Sequence, residues 1–221
     1  MIIVHHLNDS RSQRVLWLLE ELGLPYEVRR YQRDPKTRLA PAELRAVHPL
    51  GKAPVIEDGD VRVAETGAIV EYLLETHGAG RLRPPAGTED GRRFTYWLHY
   101  AEGSAMPPLL LKLVFGLLPS RSPALLKPLV RGIAAKAQSG FVDPQVKTHV
   151  AFWEAELGRS AWFAGDDFSA ADIMMSFPVE AGADRAFDRS AHPRLDAFLR
   201  AIHARPAYRR ALERGGPYTY A

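Results

Sequence analysis

The sequence predicts two successive units, an α/β domain over residues 1–78 and an all-α domain over residues 89–221, joined by a linker at 79–88. Three observations carry this. Strand-like runs are confined to the first 64 residues. A Gly- and Pro-rich stretch follows, with Gly80, Pro84, Pro85 and Gly87, the composition of a connecting segment. Beyond it only the helical period recurs.

Residues 2 to 7 read as a buried strand of Ile, Val and His. Ser10 to Ser12 open a helix whose apolar positions Val15, Leu16, Leu18, Leu19 and Leu22 form one broad face. Gly23 suits the left-handed residue after a helix, and Pro25 prevents continuation. Tyr26 to Tyr31 alternate as a second strand, and residues 34 to 47 are charged and loosely helical. Val55–Glu57 and Val61–Ala64 pair through Asp58-Gly59 as a hairpin. A helix from Thr66 to His77 closes the unit. The order β-α-β-α-β-β-α is that of a thioredoxin-like domain. The second half carries helical patterns at 89–104, 106–118, 122–138, 142–158, 169–182, 193–204 and 206–214. Pro107-Pro108 breaks or kinks the helix it interrupts. Phe168-Ser169-Ala170-Ala171-Asp172-Ile173 has the spacing of a capping box with a hydrophobic staple.

Composition narrows the function. Hydrophobic residues make up 46% and charged residues 25%, the profile of a soluble globular protein. The formal charge is only +3 and the basic residues are scattered, so no nucleic-acid partner is expected. There is no cysteine, which rules out disulfides, thiolate metal sites and a protein thiol nucleophile. A strand begins directly at the N-terminus and no run approaches 18 apolar residues, so a cytoplasmic protein without membrane contact is expected. His5 and His6 are adjacent in a strand and point to opposite faces, and no other ligand spacing occurs; no metal is expected. Gly51-Lys52 lacks the remainder of a phosphate-binding loop.

The block His48-Pro-Leu-Gly-Lys52-Ala-Pro54-Val55 through Glu65-Thr66 has the chemistry to hold a small anionic peptide. Pro54 has no N–H, so Val55 is left to offer backbone groups to an extended ligand at a sheet edge. Thr66 brings a hydroxyl and free N–H groups at a helix start, suited to a carboxylate. A Ser10 hydroxyl near the first helix can serve as an N-cap or donate to an anion held there.

Taken together, Ser10-Arg11-Ser12, Ala53-Pro54-Val55, Glu65-Thr66 and the Ser169–Asp172 box resemble the cytosolic glutathione transferases over nearly the whole chain, with a serine-type, theta-like site of bacterial or fungal kind. The resemblance implies glutathione as co-substrate and a homodimer. It implies Ser10 as the thiol-activating residue, with Asn8 and Ser12 as alternatives one alignment step away. Lys52 would meet the glycyl carboxylate, and Pro54 and Val55 the cysteinyl backbone. Thr66 would meet the γ-glutamyl carboxylate, and Glu65 the α-amino group. Tyr100, Ser104 and Met106 would wall the pocket of a small hydrophobic electrophile. It also implies a cis Ala53-Pro54 bond. The expected activity is conjugation of the glutathione thiolate, in a detoxification role. The alternatives are a glutathione-dependent peroxidase or disulfide reductase, and a non-catalytic binding protein of the same fold.

Overall fold

The computed structural model describes residues 1–220; Ala221, the last residue of the expected second domain, lies outside the described residues. Four strands form one mixed sheet in the order β2-β1-β3-β4. Strand β1 (Ile2–Leu7) is almost wholly buried, and β2 (Tyr26–Tyr31) runs parallel to it from Ile2↔Tyr26 to Leu7↔Tyr31. Strand β3 (Val55–Asp58) lies antiparallel to β1, and β4 (Val61–Ala64) antiparallel to β3. The tight turn between β3 and β4 needs Gly59 at φ 59°, which glycine adopts without a Cβ penalty.

Helix α1 (Ser12–Leu22) crosses from β1 to β2 and ends at Gly23 with φ 65°. It packs on β1 and α3 (Thr66–His77), and also on two helices of the second half, α8 (Ala170–Arg185) and α10 (Pro206–Gly215). Contact on so many sides buries Gln13 and Arg14 with the leucines. The charged stretch 34–47 contains only one short helix, α2 (Glu43–Val47). The Ala53-Pro54 bond is cis, as the resemblance implied.

The second half is helical throughout: α4 (Glu89–Tyr100), α5 (Met106–Leu117), α6 (Lys127–Ala137), α7 (Asp143–Glu156), α8, α9 (Pro193–Ala204) and α10. Thr88 caps α4 by accepting from the Gly91 N–H at 3.0 Å. The break expected at Pro107-Pro108 takes another form. A π turn at Ala101–Ala105 precedes the two prolines, which then occupy the first turn of α5. The wider turn accommodates residues that lack an N–H and would crowd the preceding carbonyls, so the helix continues. The Ser169–Asp172 capping box is fully formed at the start of α8, with the Ser169 N–H donating to Asp172 Oδ2 at 2.9 Å. One continuous core runs from β1 through α8 to α10.

Candidate active site

The topology gathers the predicted residues at one end of the sheet. β1 finishes at Leu7 and leads into the Ser10 loop. β3 runs the other way, so its first residue, Val55, lies beside His5. β4 reverses again and ends at Ala64, opposite Val55, just before Glu65 and Thr66. The Ser10 loop, cis-Pro54, Val55 and the start of α3 therefore share that end, with Lys52 exposed on the approach to Pro54. The sheet-edge expectation for Val55 is corrected: β3 is an interior strand, flanked by β1 and β4. An extended ligand can meet only the end of the strand, because both flanks are already paired.

Glu65 precedes α3 with φ 71° and ψ 128°, and no side chain caps the helix. An L residue adopts this backbone at a cost of about 1–3 kcal/mol. The first-turn N–H groups of α3 have no intrahelical partners. Thr66 is the first helical residue, not the cap, and its side chain is buried. The Arg14 Nη2 donates to its Oγ1 at 3.5 Å.

In the first loop the two serines differ. Ser12 is fully buried; its Oγ is 2.8 Å from His6 Nδ1 and accepts the Leu7 N–H at 3.2 Å. Ser10 keeps 6% of its surface exposed, and its Oγ lies 2.7 Å from Ser12 Oγ and accepts the Ser12 N–H at 3.2 Å. Burial, reinforced by Arg30, pushes the His6 imidazole down to about 4 against the opposing pull of the Gly215 backbone and Asp9. At neutral pH the ring is uncharged, so His6–Ser12–Ser10 is a neutral hydrogen-bonded chain. Asn8 is also committed: its Oδ1 accepts the Arg33 N–H at 2.8 Å, and its amide donates to Asp9 at 3.3 Å. The C-terminal tail closes over this loop, with the Thr219 N–H and hydroxyl donating to Asp9 Oδ1 at 3.0 and 2.7 Å.

A second group was missed by sequence reasoning. Arg14, 1% exposed, bridges the two halves: Nη1 donates to the Met174 carbonyl at 2.7 Å and Nη2 to the Glu102 carboxylate. Arg11 reaches the same carboxylate at 2.8 Å. Burial pushes the Glu102 carboxyl up, but Arg14 and then Arg11 outweigh it and hold it below the usual range. The available signal was a lone carboxylate within the apolar, aromatic 96–110 stretch, facing two arginines at helical spacing.

The three residues expected to wall the electrophile pocket lie in different surroundings. The Tyr100 hydroxyl accepts from Trp153 Nε1 at 3.0 Å and is also hydrogen-bonded to His149. That turns it into the helical core, where burial raises its pKa. Met106 joins the same core, and Ser104 is exposed. The residue of this segment that reaches the Ser10 loop is Glu102, within the π turn, through Arg11 and Arg14.

Residues 1–75 match the family model described as glutathione S-transferase, N-terminal domain, and residues 117–206 match its C-terminal domain. The chain belongs to the glutathione S-transferase family. Glutathione S-transferase 1 of Saccharomyces cerevisiae is 32% identical over 223 residues, covering 97% of this chain and 95% of the yeast protein. Glutathione S-transferase 3 of Schizosaccharomyces pombe is 30% identical over 214 residues, covering 97% and 88%. Among solved structures, a glutathione S-transferase from Actinobacillus pleuropneumoniae superposes with a TM-score of 0.81 at 31% identity, covering 100% of this chain and 95% of that one. A sphingomonad glutathione S-transferase complexed with glutathione gives 0.72 at 25% identity, covering 97% and 98%. This transferase therefore has the thioredoxin-like and helical domains of its family. Among the described residues no group of three or more His, Cys, Asp or Glu is placed to hold a metal ion.

Proposed function

We propose that the enzyme conjugates the glutathione thiolate to small hydrophobic electrophiles, with residues 1–78 binding glutathione, 79–88 as linker and 89–221 completing the site. The observation that carries this is the convergence of Ser10, Pro54-Val55 and the strained Glu65-Thr66 step at one end of the sheet. The sphingomonad relative, similar over nearly its whole length, holds glutathione, which supports glutathione as co-substrate here. Thr66 and the open first turn of α3 take the γ-glutamyl carboxylate, aided by the nearby Arg14 charge. Glu65 takes the α-amino group, the end of β3 at Val55 the cysteinyl backbone, and Lys52 the glycyl carboxylate. A cytoplasmic homodimer fits the family and accounts for the exposure of Glu65.

Ser10 activates the sulfur. A free thiol with a pKa near 8.5 is about 3% ionised at pH 7. A hydrogen bond to a charged acceptor contributes about 1.5–3 kcal/mol, which lowers the pKa by about one to two units and raises the thiolate to about 25–75%. The thiol proton leaves to solvent. The sulfur lone pair then forms the S–C bond, and the leaving group departs with its electron pair, or the electron pair moves onto the acceptor in an addition. Ser12 and Asn8 are spent on internal partners, which favours Ser10 as the donor. Between the serines, the donor hydroxyl must rotate from Ser12 toward the sulfur, while Ser12 keeps its bonds to His6 and Leu7.

The test is a panel of aryl halides, enones and hydroperoxides assayed with wild type, Ser10→Ala and Ser12→Ala. Conjugation should fall several-fold to tens-fold at pH 7 in Ser10→Ala, recover as pH rises, and leave glutathione retention on an immobilised ligand intact. Turnover of peroxide alone would favour the peroxidase reading, and retention without turnover the binding protein.

A further inference from the structure

The hydrogens of the His6–Ser12–Ser10 chain can be assigned one by one from the neighbours of each polar atom. The backbone carbonyl of Gly215, at the end of α10, takes a hydrogen bond from the His6 ring. Gly215 comes this close because it lacks a side chain: a Cβ there would stand 2.6 Å from Gln13 Oε1 and 3.4 Å from His6 Cε1. His6 Nδ1 faces Ser12 Oγ at 2.8 Å, so the bond to Gly215 comes from Nε2. A carbonyl only accepts, and Nε2 therefore carries the hydrogen. The buried ring is neutral at pH 7 and has a single N–H, which leaves Nδ1 as an acceptor. The Ser12 hydroxyl donates to it in preference to the Leu7 carbonyl, which is farther away at 3.3 Å.

Ser12 Oγ then has two acceptor positions. The Leu7 N–H fills one at 3.2 Å, and the Ser10 hydroxyl, 2.7 Å away, fills the other. Ser10 Oγ accepts the Ser12 N–H at 3.2 Å. It has a lone pair left for a ligand, but no proton. A lone pair can receive a thiol S–H; it repels a thiolate.

We propose that His6 is a positioning residue for the conjugation, holding the Ser10 hydroxyl away from the sulfur in the resting enzyme. This rests on the reading of Ser10 as donor to the thiolate and adds what opposes that donation. For Ser10 to turn its proton outward, the bond to Ser12 must break. The two oxygens then lie 2.7 Å apart with no hydrogen between them, because Ser12 keeps its own on His6. Returning the Ser12 proton to Ser10 instead leaves Nδ1 without its donor in a buried site. Either route forfeits one neutral hydrogen bond, about a two- to tenfold loss in the thiolate equilibrium. The direction of the chain is fixed from α10, through Gly215. Arg30 on β2 disfavours a second proton on the ring and Asp9 in the loop favours one, while α1 presents only the Ser12 hydroxyl and the uncharged Gln13 amide. Burial and Arg30 prevail, so the direction holds through neutral pH.

The test is the pKa of glutathione bound to the enzyme, read from thiolate absorbance against pH in wild type, Ser12→Ala, His6→Leu and the double variant. Ser12→Ala removes the acceptor of the Ser10 proton. His6→Leu lets Ser12 turn its proton to Ser10, whose own is then free for the sulfur. Each should lower the pKa of the bound thiol by about half a unit to one unit, and the double variant should go no lower than Ser12→Ala alone. A purely structural His6 would leave that pKa unchanged or raise it. Far-UV circular dichroism checks folding, and Ser12→Ala decides the matter alone if His6→Leu does not fold. An unchanged or raised pKa in Ser12→Ala or in folded His6→Leu would overturn the proposal, as would additive shifts in the double variant. If Ser10→Ala raises the pKa as expected while these variants fail, only the role of His6 falls; if Ser10→Ala also leaves it unchanged, the reading of Ser10 falls with it.

Discussion

Glu102→Gln should destabilise the protein and do so in a pH-dependent way. The carboxylate joins the second domain to Arg11 and Arg14 of α1. Arg14 is 1% exposed and its remaining partners are neutral, the Met174 carbonyl and the Thr66 hydroxyl. Removing one member of a buried pair costs about 3–5 kcal/mol, because the other charge is left in a low-dielectric site. The Arg11 arm is about one-third exposed and adds little, and Glu102 itself keeps some contact with water, so about 2–4 kcal/mol is expected. For a chain of this length that lowers Tm by about 5–15 °C. Because the folded Glu102 carboxyl sits below its ordinary range, its stabilisation is fully present above about pH 4.3, the unfolded value. It is lost as pH falls through the folded value. The gap between wild type and variant, measured by thermal unfolding across pH 3 to 8, should therefore be constant from pH 6 upward and shrink in acid. A Tm within 1–2 °C of wild type at pH 7 would refute the reasoning, as would a gap unchanged at pH 3.

Thr66→Ala should weaken glutathione binding by about 1–3 kcal/mol through loss of a hydrogen bond to a charged carboxylate. Since Thr66 does not cap α3, stability should change less than affinity, and calorimetric titration beside thermal unfolding separates the two. Asp172→Ala leaves the Phe163 and Ser169 N–H groups without the acceptors they have at 2.8 and 2.9 Å; a loss of about 2–4 kcal/mol in denaturant unfolding is expected, with no specific effect on glutathione affinity. Light scattering at micromolar concentration should give the mass of a dimer, and a monomer would count against the proposed assembly.

Local signals carried the element plan. Gly23, Asp58-Gly59, Pro193 and Pro206 mark chain reversals or helix starts through their own backbone chemistry, so helix and strand limits follow from neighbours in sequence. The Ser169–Asp172 box is equally local: three residues hold all of its reciprocal bonding. The Ser10, Pro54-Val55 and Glu65-Thr66 segments were also recognisable as motifs. Their meeting at one sheet end was not, because it depends on strand order and direction. Tertiary packing decided the rest. It placed β3 inside the sheet, spent Ser12 on His6, and joined Arg14 to Glu102 across 88 positions. It turned Tyr100 into the core and Glu102 toward α1. In the α5–α6 hairpin, a leucine periodicity that would ordinarily announce a core faces water instead. Periodicity specifies that a helix has an apolar side; only the positions of the other elements decide whether anything in the chain covers it.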